Sequence, residues 1–371
     1  MLDNLKIALV CDWLTVHAGA ERVLYEMHML FPNAPIYTSI YNKNACSEFK
    51  NAKVKDSALR YVPGAKKMHK LFLPFMPGIF ERLDLSEYDL VISSNHSASK
   101  GIITKPETLH VSYCHSPMRY VWDRSHSYLK GQKNFALLRP LYKPMLHKLR
   151  LWDRIAADRV DHCIANSEHV SARIKKYYGR ESEVILPPVD LTKFSKASKK
   201  EDYYLAVGRL IPYKRFDLVV QACESLGRPL KIIGSGSELS RLKKMAGPYT
   251  EFLENVTDEE LSEFYQGAKA LIFPQLEDFG IVPLEAMASG TPVIAYGAGG
   301  ALETVVEGKS GLFFKEQTVK SLSKAIKEFE KKKWPIKKVA DTVSTFSNAR
   351  FRSELNHSLE NAWKEHVKML A

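Results

Sequence analysis

The sequence predicts an α/β protein built as two Rossmann-like, doubly wound domains facing a cleft. Three observations predict it. The chain has 371 residues, more than one hydrophobic core usually serves. Short apolar runs alternate with helical or loop stretches in both halves. A proline-marked polar connector separates those halves. Apolar residues make up 45% and charged residues 26%, a balance that excludes a disordered or fibrous chain.

In the first half, Lys6 to Val10 reads as a buried strand. A loop through His17, Ala18 and Gly19 follows, then a helix with Val23, Leu24, Met27 and Leu30 on its apolar face. Further strands are expected at Leu90 to Ile92, Val111 to Cys114 and His162 to Ala165, giving an N-terminal domain over 1–186. Pro187-Pro188-Val189-Asp190 and the polar run from Lys193 to Asp202 read as a linker over 187–202. The pattern restarts at Tyr204 to Val207, Leu230 to Ile233, Ala270 to Phe273 and Pro292 to Ala295, which defines a second domain over 203–347. Residues 348–371 read as a helix with Phe351, Leu355, Leu359 and Trp363 at helical spacing, and its apolar face suits packing on either domain.

Lys and Arg number 54 against 42 Asp and Glu, so the formal charge of +12 favours phosphates, nucleic acid or anionic lipid as partners. The five cysteines are widely spread, without a Cys-x-x-Cys pair or metal-ligand spacing, and read as reduced, mostly core-filling thiols. The N-terminal apolar run is too short and poorly flanked for a signal peptide, so a cytoplasmic protein is expected. No stretch has the length of a membrane span, so any membrane contact would be peripheral, at the inner face of the plasma membrane.

Ligands of open α/β sheets sit beyond the carboxyl ends of the strands, and the unusual residues cluster in those loops. Glu277 and Glu285 flank Asp278-Phe279-Gly280-Ile281-Val282-Pro283-Leu284, where Gly280 and Pro283 suit a loop giving way to a helix start. Free N–H groups at such a start bind phosphate. Upstream, Arg209 and Lys214 stand near one strand end in Val-Gly-Arg-Leu-Ile-Pro-Tyr-Lys-Arg. Two fixed cations there would stabilise the charge that develops on a departing diphosphate without a metal ion. Taken singly, a Glu pair is more often a solvated helix face and an Arg/Lys pair surface charge; the combination on successive strand ends is the signal.

Gly208-Arg209 with Lys214, Glu277 with Glu285, and Gly19-Ala20-Glu21-Arg22 resemble the family 4 retaining glycosyltransferases, which have the GT-B fold. The resemblance extends through His115-Ser116-Pro117, Asn166-Ser167, Pro188-Val189-Asp190 and Gly290-Thr291-Pro292-Val293-Ile294. Tyr113 to Asp123 is more narrowly similar to bacterial mannosyltransferases of surface-polysaccharide assembly, both O-antigen and capsule. It implies transfer of a hexose, mannose from GDP-mannose first, from a nucleotide diphosphate donor to a glycan or lipid-linked acceptor. A UDP-sugar is the alternative donor.

The resemblance assigns the catalytic set His115, Arg209, Lys214 and Glu277, with His115 at the donor sugar and its reacting centre and Glu277 at the sugar hydroxyls. Donor binding would fall to Gly19, Gly234, Val256, Phe279, Gly280, Ile281 and Glu285. Glu285 would take the ribose, the backbone at Phe279, Gly280 and Ile281 the phosphates, Val256 the base, and Gly19 the diphosphate by close approach. Gly234 begins Gly-Ser-Gly-Ser after a strand, a common turn in its own right, and Thr257 or Asp258 caps a helix whether or not a ligand is bound. Asp12, at the first strand's end, is a further candidate. Arg215 beside Lys214, and Asp278 beside Glu277, leave the assignment open by one residue. No metal ligand set and no Asp-x-Asp signature are found, so a metal-independent reaction without a cofactor other than the donor is expected.

On the acceptor side, residues 60–82 interleave Lys66, Lys67, His69 and Lys70 with Leu71, Phe72, Leu73, Phe75, Met76, Ile79 and Phe80. Such a piece can lie on an anionic bilayer, or form a partly buried hairpin with a solvated basic face. Pro74, Pro77 and Gly78 exclude one long helix. Two rival readings are a nucleotide-sugar epimerase or phosphorylase on the same architecture, and a basic nucleic-acid-binding protein. The paired cation and carboxylate motifs favour transfer, and scattered charge without a reading module argues against nucleic acid.

Overall fold

The structure, a computed structural model, describes residues 2–16, 18–123, 125, 139–194 and 200–371. His17 of the expected first loop and residues 195–199 of the expected linker lie outside them. The chain divides into two compact units, Met1–Pro188 with Asn348–Ala371, and Val189–Ser347. The division therefore falls between Pro188 and Val189, inside the stretch read as a linker.

The first unit contains β1 (Ile7–Cys11), β2 (Ile36–Thr38), β3 (Val54–Asp56), β4 (Leu90–Asn95), β5 (Leu109–Cys114), β6 (His162–Ala165) and β7 (Glu183–Val184). They form one sheet in the order β3-β2-β1-β4-β5-β6-β7, every neighbouring pair parallel. Successive residues of a strand point to opposite faces. On β1, Leu9 and Cys11 pack with Val23, Leu24 and Met27 of the helix Gly19–Leu30, whereas Ala8 and Val10 join Met76, Phe80, Leu146 and Leu149 on the other face. Both faces are covered, and for that reason the strand reads as an unbroken apolar run and not as an alternating one.

The C-terminal helix Asn348–Leu370, whose docking the sequence leaves open, packs on this first unit. Phe351, Leu355, Leu359 and Ala362 join the core beside β1, and the Phe351 ring lies edge-on to Tyr113 at 5.8 Å. Arg352 reaches Glu26 at 2.7 Å.

The second unit holds β8 (Tyr204–Val207), β9 (Leu230–Ile233), β10 (Thr250–Leu253), β11 (Ala270–Phe273), β12 (Val293–Tyr296) and β13 (Gly311–Phe314). Their order is β10-β9-β8-β11-β12-β13, again all parallel. Its main core joins Tyr204 and Ala206 of β8 to Val219, Val220 and Cys223 of the helix Phe216–Leu226, and to Leu322, Ile326 and Phe329 of the helix Val319–Glu330.

In each unit the chain runs from a central strand to one edge and then returns to the other side of that strand. β1 and β4, and likewise β8 and β11, are neighbours at that reversal. Adjacent loops diverge at such a point and leave a crevice at the carboxyl ends of the strands. Two units thus give two crevices.

Candidate active site

In the second unit, β8 delivers Gly208 and Arg209 to the strand-order reversal, and a single turn, Pro212–Lys214, folds back over them. Lys214 Nζ stands 3.1 Å from the place a Cβ on Gly208 would occupy. Gly208 has a φ of +143° and Gly234, after β9, a φ of +147°. A Cβ on Gly234 would overlap the carbonyl oxygen of Gly208, so the two strand ends touch backbone to backbone. Gly234 therefore requires glycine on conformational and steric grounds together, and Gly208 on conformational grounds.

Glu277, in the loop after β11, meets Lys214 across the reversal: Nζ and Oε1 are 3.3 Å apart, and the carboxylate side chain is 18% exposed. Arg209 beside them is exposed, with no ion-pair partner among the described residues. Arg215, which the sequence leaves interchangeable with Lys214, turns instead to Asp217 at 3.2 Å from a left-handed backbone, φ 55°. Lys214 is thus the cation at Glu277.

Gly280 ends the loop with a φ of +93° and begins the helix Ile281–Ala288. The N–H groups of a first helical turn have no acceptor within the helix, and no side chain caps them here. Phe279 buries its ring, so what it presents to a ligand is backbone. Glu285 lies inside that helix and is buried, with Oε2 accepting a hydrogen bond from the Tyr265 hydroxyl at 2.9 Å. Val256 follows β10, the edge strand, in the turn before the helix Asp258–Gly267. Thr257 caps that helix: its Oγ1 accepts from Glu260 N–H at 3.2 Å while its own N–H donates to Glu260.

In the first unit, Asp12 follows β1 and is 1% exposed. Its carboxylate accepts four backbone N–H groups, from His96, Ser97, Ala98 and Ser99, at 2.6–2.9 Å. It fastens the turn after β4 and is a structural acceptor, so its candidacy as a reacting group is not supported. His96 Nδ1 lies 3.1 Å from the same carboxylate, and its ring stands edge-on to Trp13 at 4.5 Å. His115 follows β5, one strand further on; Ser94 Oγ is 2.8 Å from its Nε2, and its N–H donates to the Asn95 carbonyl at 2.7 Å.

Gly19 opens the helix Gly19–Leu30, and Glu21 two residues on accepts from Ala18 N–H at 3.1 Å. Burial pushes the Glu21 carboxyl up to about 7, against the lowering effect of its backbone hydrogen bonds.

The structure therefore brings together Arg209, Lys214, Glu277 and Gly234 at one crevice, with the Phe279–Ile281 backbone on the same loop as Glu277. Val256 stands at the sheet edge, while Gly19 and His115 belong to the other unit. Sequence reasoning passed over His96, which stands directly after β4 but becomes conspicuous only when β4 is known to neighbour β1. It also passed over Tyr265, the partner of Glu285, and Gln275. Gln275 is buried two residues before Glu277, with neither amide atom hydrogen-bonded among the described residues. Among the described residues no cluster of three or more His, Cys, Asp or Glu could hold a metal ion, and no helix is long and apolar enough to cross a membrane. All five cysteines are free thiols.

Two family models match in succession, "Glycosyltransferase Family 4" over residues 17–193 and "Glycosyl transferases group 1" over residues 190–344. The chain belongs to the family 4 glycosyltransferases. The crevice of the second unit lies within the second match; at the first unit's crevice, β4 and His96 lie within the first match, while β1 and Asp12 precede it. Among curated relatives, the O-antigen chain mannosyltransferase RfbU of Salmonella typhimurium is 30% identical over 227 residues, covering 57% of this chain and 62% of that protein. The GDP-mannose-dependent alpha-(1-6)-phosphatidylinositol monomannoside mannosyltransferase of Mycolicibacterium smegmatis is 30% identical over 192 residues, 43% of this chain and 50% of its own. The matches thus span about half to three-fifths of these relatives' length.

Solved structures show the fold of this family 4 chain. Sucrose-phosphate synthase of Thermosynechococcus elongatus superposes with a TM-score of 0.74 at 18% identity, covering 97% of this chain and 99% of that one. HepE of Anabaena, solved in complex with UDP, gives 0.71 at 16%, covering 96% and 100%. The fold is GT-B, as the resemblance implies.

Proposed function

We propose that this family 4 glycosyltransferase is a retaining hexosyltransferase that moves mannose from GDP-mannose to a glycan or lipid-linked acceptor of a cell-surface polysaccharide or glycolipid. The observation that carries the reading is the Lys214–Glu277 pair beside exposed Arg209, at the strand-order reversal of the second unit. The mannosyltransferase relatives support the donor sugar, and the name of the Mycolicibacterium relative supports GDP-mannose.

In this reading the diphosphate lies against Arg209 and Lys214, with the N–H groups of Phe279, Gly280 and Ile281 at its oxygens. Glu277, held by Lys214, orients the sugar hydroxyls. Glu285 takes the ribose and Val256 the base, and Gly234 lets the nucleotide approach the strand ends. Gly19 and His115 of the first unit serve the diphosphate and the reacting sugar carbon. When the bond from sugar carbon to phosphate oxygen breaks, its electron pair stays on the diphosphate. Fixed cations and amides lower the energy of that charge more in the transition state than in the ground state, which is what accelerates the step. The acceptor hydroxyl attacks from the same face and its proton passes to the leaving phosphate oxygen. No metal ion is required by this arrangement. Residues 60–82 bring the enzyme to an anionic membrane surface carrying the acceptor.

Release of nucleotide diphosphate from a panel of GDP- and UDP-sugars, with and without EDTA, tests the reading. Turnover confined to GDP-mannose, persisting in EDTA and lost in Arg209→Ala, is expected. Turnover with UDP-sugars alone would move the donor assignment to uridine, and failure to bind any nucleotide sugar would overturn the function.

A further inference from the structure

The helix Arg139–Asp158 of the first unit carries three stripes, because residues follow one another at about 100° around a helix. Met145, Leu149 and Trp152 lie on one, Pro144, Leu151 and Ile155 on the next with Lys148 between them, and Lys143, His147, Arg150 and Arg154 on the third.

The first stripe faces a groove. Met145, Lys148, Leu149 and Trp152, with Pro74, Pro77 and Pro144, line a space of about 490 Å³. That is within the range of small-molecule sites, roughly 300–1,000 Å³. Trp152 is firmly seated there: its Nε1 donates to Glu81 at 2.8 Å, and its ring packs so closely on Gly101 that a Cβ would overlap it.

The second stripe is open to solvent, Leu151 at 53% and Ile155 at 58%, and Phe75 beside Pro74 is 65% exposed. The third is cationic, and the carboxylates of the helix neutralise only Arg154 of it. Asp153 is buried against Lys100 and bonded to Trp122 and Tyr178, and Asp158 pairs with Arg154. Lys143, His147 and Lys148 are left exposed. An apolar groove opening beside exposed apolar residues and bordered by unneutralised cations matches an anionic amphiphile in both halves of its chemistry.

We propose that this groove takes an acyl chain of an anionic phospholipid, its phosphate at Lys148, with Leu151 and Ile155 in the same leaflet and the cationic stripe facing the anionic surface beyond. The site deepens the membrane-surface part of the function proposed above, rests on that part, and is independent of any catalytic step. It differs from the basic segment 60–82 seen in the sequence, contributing that segment only as one wall through Pro74 and Pro77. The side chains of Lys67 and Lys70 lie outside the described ones.

Flotation with phosphatidylglycerol or phosphatidylcholine vesicles tests it, together with tryptophan quenching by phosphatidylglycerol whose acyl chains are brominated. Expected are binding to the anionic vesicles at least tenfold above the zwitterionic ones, a tenfold or greater loss in Leu151→Glu/Ile155→Glu, and quenching that is absent from Trp152→Phe. Unchanged binding by the double variant, or quenching equal with and without Trp152, would overturn the proposal and indicate that the chain itself or another protein covers the groove. Binding of GDP- and UDP-sugars, measured on the same samples, reports on the donor reading separately: vesicle binding without binding of any nucleotide sugar would sink the transfer reading and leave the lipid site standing.

Discussion

The two strand-order reversals hold similar polar residues and use them in opposite ways. At β1/β4, Asp12 is buried and accepts four backbone N–H groups of the turn after β4, with the His96 ring nitrogen beside it. At β8/β11, Glu277 keeps partial exposure beside the Lys214 ammonium group, with Arg209 exposed next to them. A carboxylate at a strand end is therefore not in itself a sign of chemistry. Deep burial against the N–H groups of a turn is what makes Asp12 an organiser of the chain, whereas Glu277 stays partly open to water.

The largest effect that would break this contrast is on Arg209→Ala. Transfer should fall about 10²–10³-fold, the scale of losing one charge-stabilising donor, while the melting temperature stays within a degree or so because the side chain is exposed. Equal activity, read as nucleotide diphosphate release, would remove the distinction. Asp12→Ala should do the reverse. Four N–H groups lose their acceptor, so the first unit should lose about 3 kcal/mol of stability or more in urea unfolding, with nucleotide binding by the folded protein unchanged.

Glu21 sharpens the comparison from the pH side. Its folded value of about 7 lies above the ordinary 4.5 because it is buried. Between those values the folded state holds more protons than the unfolded one, so stability falls as pH rises from about 4.5 to about 7. The full decline is on the order of 3 kcal/mol, and Glu21→Gln should flatten it in melts compared at pH 5 and pH 7.5. The smallest effect is expected at Arg215→Gly. It loses the Asp217 pair but relieves a left-handed non-glycine backbone, so stability should change by less than about 1 kcal/mol, and transfer should stay within about twofold. A loss like that of Arg209→Ala would return Arg215 to the site.

The β8/β11 site was legible because its residues are close in sequence to strands that are unbroken apolar runs, and because the Glu277/Glu285 spacing lies on one loop and helix. The β1/β4 site was not, since Asp12 and His96 are 84 positions apart and meet only through strand order. Glu330 shows the same limit. It pairs with Arg228, 102 positions away, at 2.7 Å and accepts from Tyr204, 126 positions away, at 3.0 Å. The edge strand β3 and its neighbour β2, three residues each, are too short for a period to appear.

Sequence by itself determined the class: two α/β halves, a basic chain with free thiols, and the family to which its motifs belong. These follow from local pattern, since a parallel strand covered on both faces must be apolar throughout and a glycine at a strand end is set by its own backbone. Tertiary structure alone decided that the C-terminal helix packs on the first unit, that Lys214 and not Arg215 meets Glu277, that Asp12 is structural, and that an apolar groove opens beside Trp152. Each of these depends on which distant segments are neighbours, and on how much water they leave around a charge.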